Sequence, residues 1–338
     1  MGAKRSLPEL DQIARVAAET AGWAVCCRLM KGPTLVVLNP MSRNGATGSR
    51  WQAIEARVRA ALGPIRVEPT RGPRDAERIA REGVLAGAAR IVVAGGDGTT
   101  GEVVTGLLDA GLGGACEIAL LPLGTGGDLA RGLGVPRGLD AALARIAAGK
   151  TRLVDAGRAE FMAPGGERQR VAFLNVASLG LSGLVTRLVN EAPKTFGGRI
   201  SFLLGTLRAL ARWQSQPVTL RLDGELIHEG RLHLATAANG QYFGGGMHVA
   251  AGAAIDDGLF DVVIIPDIPK LELLWRLPLL YSGKHLKLPN VRCLRGRRLE
   301  AEAAPGSVYT EIDGEPLGTL PASYEIVPGA ITLVGTGA

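Results

Sequence analysis

The stretch that decides the fold is residues 90–110, RIVVAGGDGTTGEVVTGLLDA. It opens with β-branched residues at 91–93, which are typical of a buried strand. A glycine-rich run at residues 95–101 interrupts the strand, and apolar residues then recur at 103, 104, 107 and 108 with helical spacing. The sequence therefore predicts a strand, a glycine loop and a helix in that order.

The glycine loop has the chemistry of a phosphate site. Gly95, Gly96 and Gly98 lack side chains, so the backbone can turn sharply and approach a ligand. The helix that follows presents unpaired N–H groups and a partial positive charge, which favour a phosphate. Asp97 lies in the middle of the loop, where phosphates repel a carboxylate unless it binds a metal ion, a water molecule or a sugar hydroxyl. We interpret this stretch as a nucleotide site.

Length and composition limit the classes of protein to consider. A chain of 338 residues favours roughly two domains, and 46% hydrophobic with 21% charged residues is typical of a globular protein. No run of about 20 uncharged apolar residues occurs, so we expect no membrane span. The net charge of +6 favours phosphorylated ligands, anionic lipid surfaces or nucleic acid. Aromatic residues make up only 4% without a stacking or zinc-finger pattern, so we expect no nucleic-acid partner.

Two features bear on the cellular location. The four cysteines, at positions 26, 27, 116 and 293, lack metal-ligand spacing, and we expect small buried side chains in a reducing compartment. Residues 1–33 form an N-terminal extension with a plausible amphipathic helix but without the features of a secretory signal. An interfacial helix is the alternative for this segment. We therefore expect a cytoplasmic protein, either soluble or peripheral at the membrane.

The first half of the chain alternates strands and helices. The strand at residues 34–38 runs into Asn39 and Pro40 and then a turn at residues 44–45. A helix at about 49–62, a strand at 65–68 and a helix at about 74–82 lead to the central glycine loop. The alternation predicts a mostly parallel sheet.

A second glycine loop follows a strand predicted at residues 118–121. Its sequence, PLGTGGDLARGL, again carries a threonine and an aspartate, Thr125 and Asp128. In such sheets ligands bind at the carboxyl ends of the strands, so we expect both glycine loops and the loop beginning at Asn39 to wall one site. Arg131 either reaches a phosphate there or is a solvated surface arginine.

From about residue 151 the pattern changes to short strands, which predicts an antiparallel second domain. The strands are predicted at residues 154–157, 172–177, 218–222, 232–237 and 261–265. Two helical stretches, at residues 194–214 and 270–288, are rich in apolar side chains. They either pack in the core or form an acyl-chain groove or a membrane-facing rim. Exposed strand edges in this domain would favour a homodimer.

The tripeptide Asp-Gly-Glu occurs twice, at residues 223–225 and 313–315. The first copy lies between two short strands and most simply forms a tight hairpin. The second lies near the end of the chain, where a returning segment can deliver a carboxylate to a site built by the N-terminal loops. Glu315 is therefore a candidate catalytic base.

Taken together, these motifs resemble the diacylglycerol kinase catalytic-domain family, and most of all its bacterial soluble lipid kinases, relatives of sphingosine and ceramide kinases. The resemblance runs from about residue 34 onward and rests on NPMSRNG, GGDGTTGEVV, PLGTGGDLARGL, VDAG, FLNVASLG, NGQYFGGGMHVAAGAAIDDGLFDVVII, SGKHL and the C-terminal DGE. It implies a phosphofructokinase-like N-terminal α/β domain at residues 34–150 and a C-terminal antiparallel β-sandwich domain at residues 151–320. Residues 321–338 would return to the first domain.

The resemblance also assigns residues. Glu315 matches the general base, and Asp97 would hold catalytic Mg²⁺ or its waters near the phosphates. A structural magnesium site is implied at Ala254, Asp257 and Leu259, the first and last through backbone carbonyls. The positions that match ATP contacts are Asn39, Pro40, Met41, Ser42, Arg43, Thr70, Gly96, Asp97, Gly98, Thr99, Thr100, Gly101, Glu102 and Thr125.

The function so implied is transfer of the γ-phosphate of ATP to a hydroxyl of a membrane lipid of the diacylglycerol, ceramide or sphingoid type. Arg43, Gly101 and Gly127 depart from the family's usual residues. One alternative is therefore a catalytically impaired, nucleotide-gated lipid-binding or regulatory protein. A second is a dinucleotide-dependent oxidoreductase, because residues 96–101 formally fit GxGxxG after a strand.

Overall fold

The computed structural model describes residues 32–191 and 198–336. The helix predicted in the N-terminal extension, together with Cys26 and Cys27, lies outside the described residues. Within them, no helix is both long and apolar enough to cross a bilayer. Cys116 is buried as expected, whereas Cys293 is exposed because it lies on a strand that pairs on one side only.

The N-terminal half is an α/β sheet, as the alternation predicts. Its strands are parallel in the order β2-β1-β3-β4. The elements are β1 (Thr34–Leu38), α1 (Ala46–Leu62), β2 (Ile65–Pro69), α2 (Asp75–Leu85), β3 (Arg90–Gly95), α3 (Asp97–Asp109), β4 (Glu117–Pro122), α4 (Asp128–Gly132) and α5 (Leu139–Ala147).

Helices cover both faces of this sheet, which explains why its inner strands β1, β3 and β4 are mostly apolar, whereas the edge strand β2 carries Arg66 and Glu68. On one face Ile91 of β3 packs with Ile79 of α2 and Leu107 of α3. On the other face Val92 packs with Trp51 of α1 and with α5. All of these side chains are buried, so only the strand ends are left to carry polar chemistry.

The C-terminal half is mainly antiparallel, which confirms the predicted fold class. The elements are β5 (Thr151–Met162), β6 (Arg168–Phe173), β7 (Val176–Gly180), α6 (Leu181–Glu191), α7 (Gly198–Arg212), β8 (Gln216–Leu222), β9 (Glu225–Ala238), β10 (Phe260–Pro266), α8 (Lys270–Tyr281), a 3₁₀ turn (Lys284–Lys287), β11 (Arg292–Gly296), β12 (Arg298–Glu302), β13 (Tyr309–Ile312) and β14 (Glu315–Val334).

Two layers of strands enclose the second core because β9 and β14 are long enough to take part in both. One layer runs β11-β10-β9-β7-β13-β14, and the other joins β9 to β14 through β8 and β12 before continuing to β5 and β6. Between them lie the large buried side chains Phe161, Phe173, Leu220, Phe260 and Tyr324. Burial of these large side chains contributes much of the hydrophobic stabilisation of the sandwich.

Strand β14 also connects the two halves of the molecule. Its last residues pair in parallel with β4, with Thr332 opposite Glu117 and Val334 opposite Ala119. Strand β5 pairs alongside it as far as Thr151. The chain therefore returns to the first sheet after it has built the sandwich.

One strand prediction is wrong in detail. Residues 172–177 were expected to form a single strand, but β6 ends at Phe173 and β7 begins at Val176. The chain breaks its ladder at Asn175, whose carbonyl accepts the N–H groups of Asn239 and Gly240. The side-chain amide of Asn175 donates to the Tyr242 carbonyl at 2.6 Å. Side-chain and loop contacts thus replace strand pairing at this point.

Candidate active site

The two glycine loops lie against each other at the carboxyl ends of β3 and β4. A Cβ atom on Gly124 would lie 2.6 Å from the Cα of Gly96, closer than real side chains approach. A Cβ on Gly95 would lie 2.7 Å from the Thr99 hydroxyl. Only glycine permits this backbone contact, so the loops form one continuous wall.

The loop after β1 completes this wall. The side-chain amide of Asn39 donates to the Thr99 hydroxyl at 2.9 Å, and its Oδ1 accepts the N–H of Met41. The Ser42 hydroxyl donates to the carbonyl of Leu123 in the second glycine loop at 3.1 Å. The structure therefore brings together three loops that are about 30 to 80 residues apart in the chain.

The remaining residues implied as ATP contacts divide into two groups. The first group is exposed or half-buried at this edge, on the loops or, for the last two, at the start of α3: Pro40, Met41, Arg43, Thr70, Gly96, Thr125, Gly98 and Gly101. Thr100 instead donates its hydroxyl to the Gly96 carbonyl at 3.2 Å and is buried. Glu102 accepts the N–H of Ala76 at the first turn of α2. Its carboxylate therefore stabilises a helix N-terminus.

Asp97 is the first residue of α3 and not, as expected, in the middle of a loop, because the helix begins four residues before the predicted end of the glycine run. Its side chain links the two loops. Its Oδ2 accepts the backbone N–H of Asp128 at 3.0 Å, at the first turn of α4. Burial, and after it the nearby carboxylate of Asp128, raises the pKa of Asp97 to about 6. A buried carboxyl group beside a second carboxylate is a donor set that a divalent cation would stabilise.

Asp128 and Arg131 attach the second loop to the C-terminal half. One oxygen of Asp128 pairs with the Arg131 guanidinium, and the other accepts the N–H of Gly245 at 2.7 Å. The Arg131 guanidinium also lies 5.7 Å from the centre of the Tyr242 ring. Arg131 is therefore held by Asp128 and Tyr242 and is not a freely solvated arginine. Sequence reasoning missed Gly245 and Tyr242, although they lie in a glycine-rich stretch.

The two Asp-Gly-Glu tripeptides form the same turn, and the hairpin predicted for the first copy is confirmed. Asp223 and Gly224 have φ values of 53° and 87°, and Asp313 and Gly314 have 49° and 87°. Positive φ at both central residues is typical of a tight two-residue hairpin. Each turn connects neighbouring strands of the sandwich, β8 to β9 and β13 to β14.

Their surroundings differ. The Asp223 carboxylate accepts the N–H groups of Arg297 and Arg298 at a distant strand start. The Asp313 carboxylate accepts those of Leu174 and Val176, at the break between β6 and β7. Burial raises the pKa of Asp313 to about 8, and the next cause is the negative charge of Asp97. The second hairpin therefore lies against the glycine-loop wall.

This hairpin brings Glu315 to the site. A Cβ atom on Gly98 would lie 3.2 Å from Oε1 of Glu315 and 3.6 Å from its Cγ. The glutamate is exposed, and it lies over the first turn of α3. A carboxylate able to accept a proton thus lies directly beside the N–H groups that suit a phosphate.

The loop implied as a structural magnesium site does not present a free carboxylate. Oδ1 of Asp257 accepts the Leu259 N–H at 3.1 Å, and Oδ2 pairs with the Arg295 guanidinium. No group of three or more His, Cys, Asp or Glu suited to a metal occurs in the described residues. In this conformation Arg295 supplies the positive charge beside Asp257, so a magnesium ion bound there would have to displace the guanidinium.

Asp155 holds this loop in place and was not singled out from the sequence. Its two oxygens accept the N–H groups of Gly258 and Gly329, each at 2.7 Å, and its own N–H donates to the Ile255 carbonyl. An aspartate between Val154 and Ala156 in an apolar strand was the signal available in the sequence.

Comparison with known proteins gives the class to which this architecture belongs. A family model described as the diacylglycerol kinase catalytic domain matches residues 33–159. A second, described as the YegS C-terminal NAD kinase beta sandwich-like domain, matches residues 175–335. These matches define the class as that of the lipid kinases, which confirms the kinase prediction over the oxidoreductase alternative.

Individual relatives agree with this class. A diacylglycerol kinase of Mycobacterium tuberculosis H37Rv is 30% identical over 305 residues, covering 90% of this chain and 95% of the relative. A Pseudomonas fluorescens protein with the name "Probable lipid kinase YegS-like" is 34% identical over 281 residues, covering 82% of this chain and 88% of the relative. The crystal structure of a diacylglycerol kinase from Bacillus anthracis has the same fold, with a TM-score of 0.69, 24% identity and coverage of 90% and 96%. The chain belongs to the diacylglycerol kinase family.

Proposed function

We propose that this enzyme transfers the γ-phosphate of ATP to a hydroxyl group of a membrane lipid of the diacylglycerol, ceramide or sphingoid type. The observation that carries the proposal is the position of Glu315 beside Gly98 at the first turn of α3. A proton acceptor and a phosphate-binding backbone are thereby adjacent, which is the arrangement that phosphoryl transfer to an alcohol requires.

The chemistry follows from these groups. The nucleotide phosphates would lie against the backbone N–H groups of the first glycine loop, which stabilise the charge of the transferring group. Glu315 would accept the hydroxyl proton as the lipid oxygen forms its bond to the γ-phosphorus. The bond from that phosphorus to the bridging oxygen breaks, ADP carries away the electron pair, and the proton leaves Glu315 for solvent.

Asp97 would hold a magnesium ion brought in with the phosphates. Bound there, the ion would neutralise charge on the phosphates and on the Asp128 carboxylate, which after burial is the next cause of the raised pKa of Asp97. Asp97 also orients α4 through the N–H of Asp128. We draw no step through a metal at Ala254, Asp257 and Leu259, because Arg295 pairs with Asp257.

The proposal also assigns the two substrates to different domains. Residues 34–150, with residues 321–338 returning to them, would bind the nucleotide, and residues 151–320 would bind the lipid. The pairing of β14 with β4 supports this division. The enzyme would be cytoplasmic and peripheral at the membrane, where its acceptor resides, and the edge strand β11 offers a surface for a homodimer.

The experiment is transfer of labelled γ-phosphate from Mg-ATP into mixed micelles, each containing diacylglycerol, ceramide, sphingosine or monoacylglycerol. We expect one acceptor to be labelled, and Asp97→Ala to abolish most of the labelling while circular dichroism shows an intact fold. Nucleotide binding without labelling of any lipid would contradict the proposed reaction and favour a regulatory protein.

A further inference from the structure

Helix α8 (Lys270–Tyr281) is apolar on two opposite faces. On its inner face, Leu273 and Leu280 are buried and pack with Ile265 at the end of β10. Leu277 lies partly buried between them. This inner face is enough to hold the helix on the sandwich, so packing does not explain apolar residues on the outer face.

The outer face exposes a stripe of large apolar side chains, which we call the α8 stripe: Leu271, Leu274, Trp275, Pro278 and Tyr281. Their spacing of three and four residues places them on one side of the helix. Trp275 is 77% exposed and Leu271 67%, and no other described large hydrophobic is as exposed as Trp275. Contiguous exposed apolar surface of this kind marks an interaction site.

Positive charges lie at both ends of the α8 stripe. Lys270 precedes it, and Lys284 and Lys287 follow it, and all three are exposed. None of them forms an ion pair within the part of the chain that the structure describes. The acid on the helix, Glu272, is already paired with Arg276. An apolar stripe with cations at its ends is complementary to the interface of a bilayer that contains anionic lipid.

The C-terminal end of α8 leads toward the candidate active site. The Leu280 carbonyl accepts the N–H of His248 at 2.8 Å. Three residues earlier in the same loop, the N–H of Gly245 donates to Asp128 at 2.7 Å, beside the second glycine loop. One loop therefore connects the stripe to the site.

We propose that the α8 stripe docks the enzyme on an anionic lipid bilayer, with Leu271 and Trp275 inserted at the interface and the flanking lysines on the headgroups. The inference rests on the proposed function, because a lipid acceptor places the enzyme at a membrane. Docking through the α8 stripe does not require turnover, since the stripe contains none of the groups assigned to phosphoryl transfer.

The test is sedimentation with vesicles of phosphatidylcholine, with or without phosphatidylserine, in the absence of ATP and of any acceptor. We expect wild-type protein to bind the vesicles that contain phosphatidylserine. The Leu271→Ser, Trp275→Ser double variant should bind them about tenfold or more weakly, as expected from withdrawing two large apolar side chains from the interface. The matched control is Leu85→Ser, Leu226→Ser, two leucines 48% and 49% exposed elsewhere, which should leave binding unchanged.

Brominated lipid in the same vesicles reports insertion directly. Two of the four tryptophans, Trp51 and Trp213, are buried, and Trp23 lies outside the described residues. The measurement therefore uses a Trp23→Phe background, in which quenching of tryptophan emission should come from Trp275. Adding Trp275→Phe to this background should leave sedimentation with the vesicles but abolish the quenching. Equal binding by the double variant, or quenching that persists in Trp275→Phe, would overturn the proposal. So would a wild-type dimer that the double variant converts to monomer without any vesicle binding, since a second copy would then cover the stripe.

These measurements separate the inference from the proposed function. Vesicle binding without lipid phosphorylation would leave the docking surface intact and contradict the reaction. Lipid phosphorylation in micelles without vesicle binding that depends on the α8 stripe would contradict the docking surface and leave the proposed reaction intact.

Discussion

Replacing Glu311 with glutamine should change how the stability of this protein depends on pH. Glu311 lies on β13, four residues before Glu315, and its carboxyl group is buried. It accepts hydrogen bonds from the hydroxyls of Ser178 at 2.7 Å and Thr186 at 3.2 Å. Burial raises the pKa of Glu311 to about 7 despite these bonds.

The sign and size of the effect follow from this pKa. The group's ordinary pKa is 4.5, so the folded protein holds the proton more tightly than the unfolded chain. The stabilising contribution is fully present below about pH 4.5 and is lost as the pH rises to about 7. At about 1.4 kcal/mol per pKa unit, the loss is on the order of 3 kcal/mol.

Glu311→Gln keeps the shape of the side chain and removes its ionisation. We therefore expect urea unfolding, followed by circular dichroism, to show the variant gaining up to about 3 kcal/mol over wild type between about pH 5 and about pH 8. The matched control is Glu225→Gln, an exposed glutamate on the other hairpin, which should show no such gain. If the free energies of unfolding of wild type and Glu311→Gln differ by the same amount at both pH values, the raised pKa of Glu311 is contradicted.

Three further variants test the glycine-loop wall and its attachment to the C-terminal half. Gly124→Ala would place a Cβ 2.6 Å from the Cα of Gly96, so it should cost about 1–3 kcal/mol of unfolding free energy and most of the kinase activity. The control is Gly96→Ala, whose Cβ would meet nothing closer than 3.5 Å, so this variant should unfold at nearly the wild-type urea concentration. Equal losses of stability in Gly124→Ala and Gly96→Ala would contradict the close contact between the two loops. Asp128→Ala removes the acceptor of the Gly245 N–H and the partner of Arg131, so hydrogen exchange at Gly245 should accelerate while that at buried strands stays unchanged.

The sequence predicts strands, loops and turns correctly where residues close together in the chain determine them. The apolar run at residues 91–93 is a strand because helices cover both faces of the sheet, and the glycines after it allow two loop backbones to touch. Asp-Gly at residues 223–224 forms the expected hairpin because both residues accept positive φ. Such features depend on neighbours within a few positions.

The two identical tripeptides show where local chemistry is insufficient. Asp223 and Asp313 make the same turn and each accepts two backbone N–H groups, so no local signal distinguishes them. Only strand pairing does, because β13 pairs with β7 and the hairpin that follows β13 places Glu315 beside Gly98. Glu315 is at the site as a result of sheet topology.

Side-chain contacts between residues far apart in the chain cannot be predicted from the local sequence either. Arg295 pairs with Asp257 from a strand 38 residues later, so the carboxylate that the resemblance assigns to a structural magnesium ion has a partner that the local sequence does not indicate. The break between β6 and β7 depends in the same way on Asn175 bonding to the carbonyl of Tyr242, 67 residues away. Spacing along the chain does not reveal such partners.

The most direct measurement of the central claim compares Glu315→Gln with Glu225→Gln in transfer of labelled phosphate from Mg-ATP to the preferred lipid. Both variants change the glutamate of an Asp-Gly-Glu hairpin, and both residues are exposed. The account predicts a fall of about a hundredfold or more in Glu315→Gln, with nucleotide binding and folding retained, and wild-type turnover in Glu225→Gln. Turnover near the wild-type rate in Glu315→Gln would contradict the assignment of Glu315 as the proton acceptor.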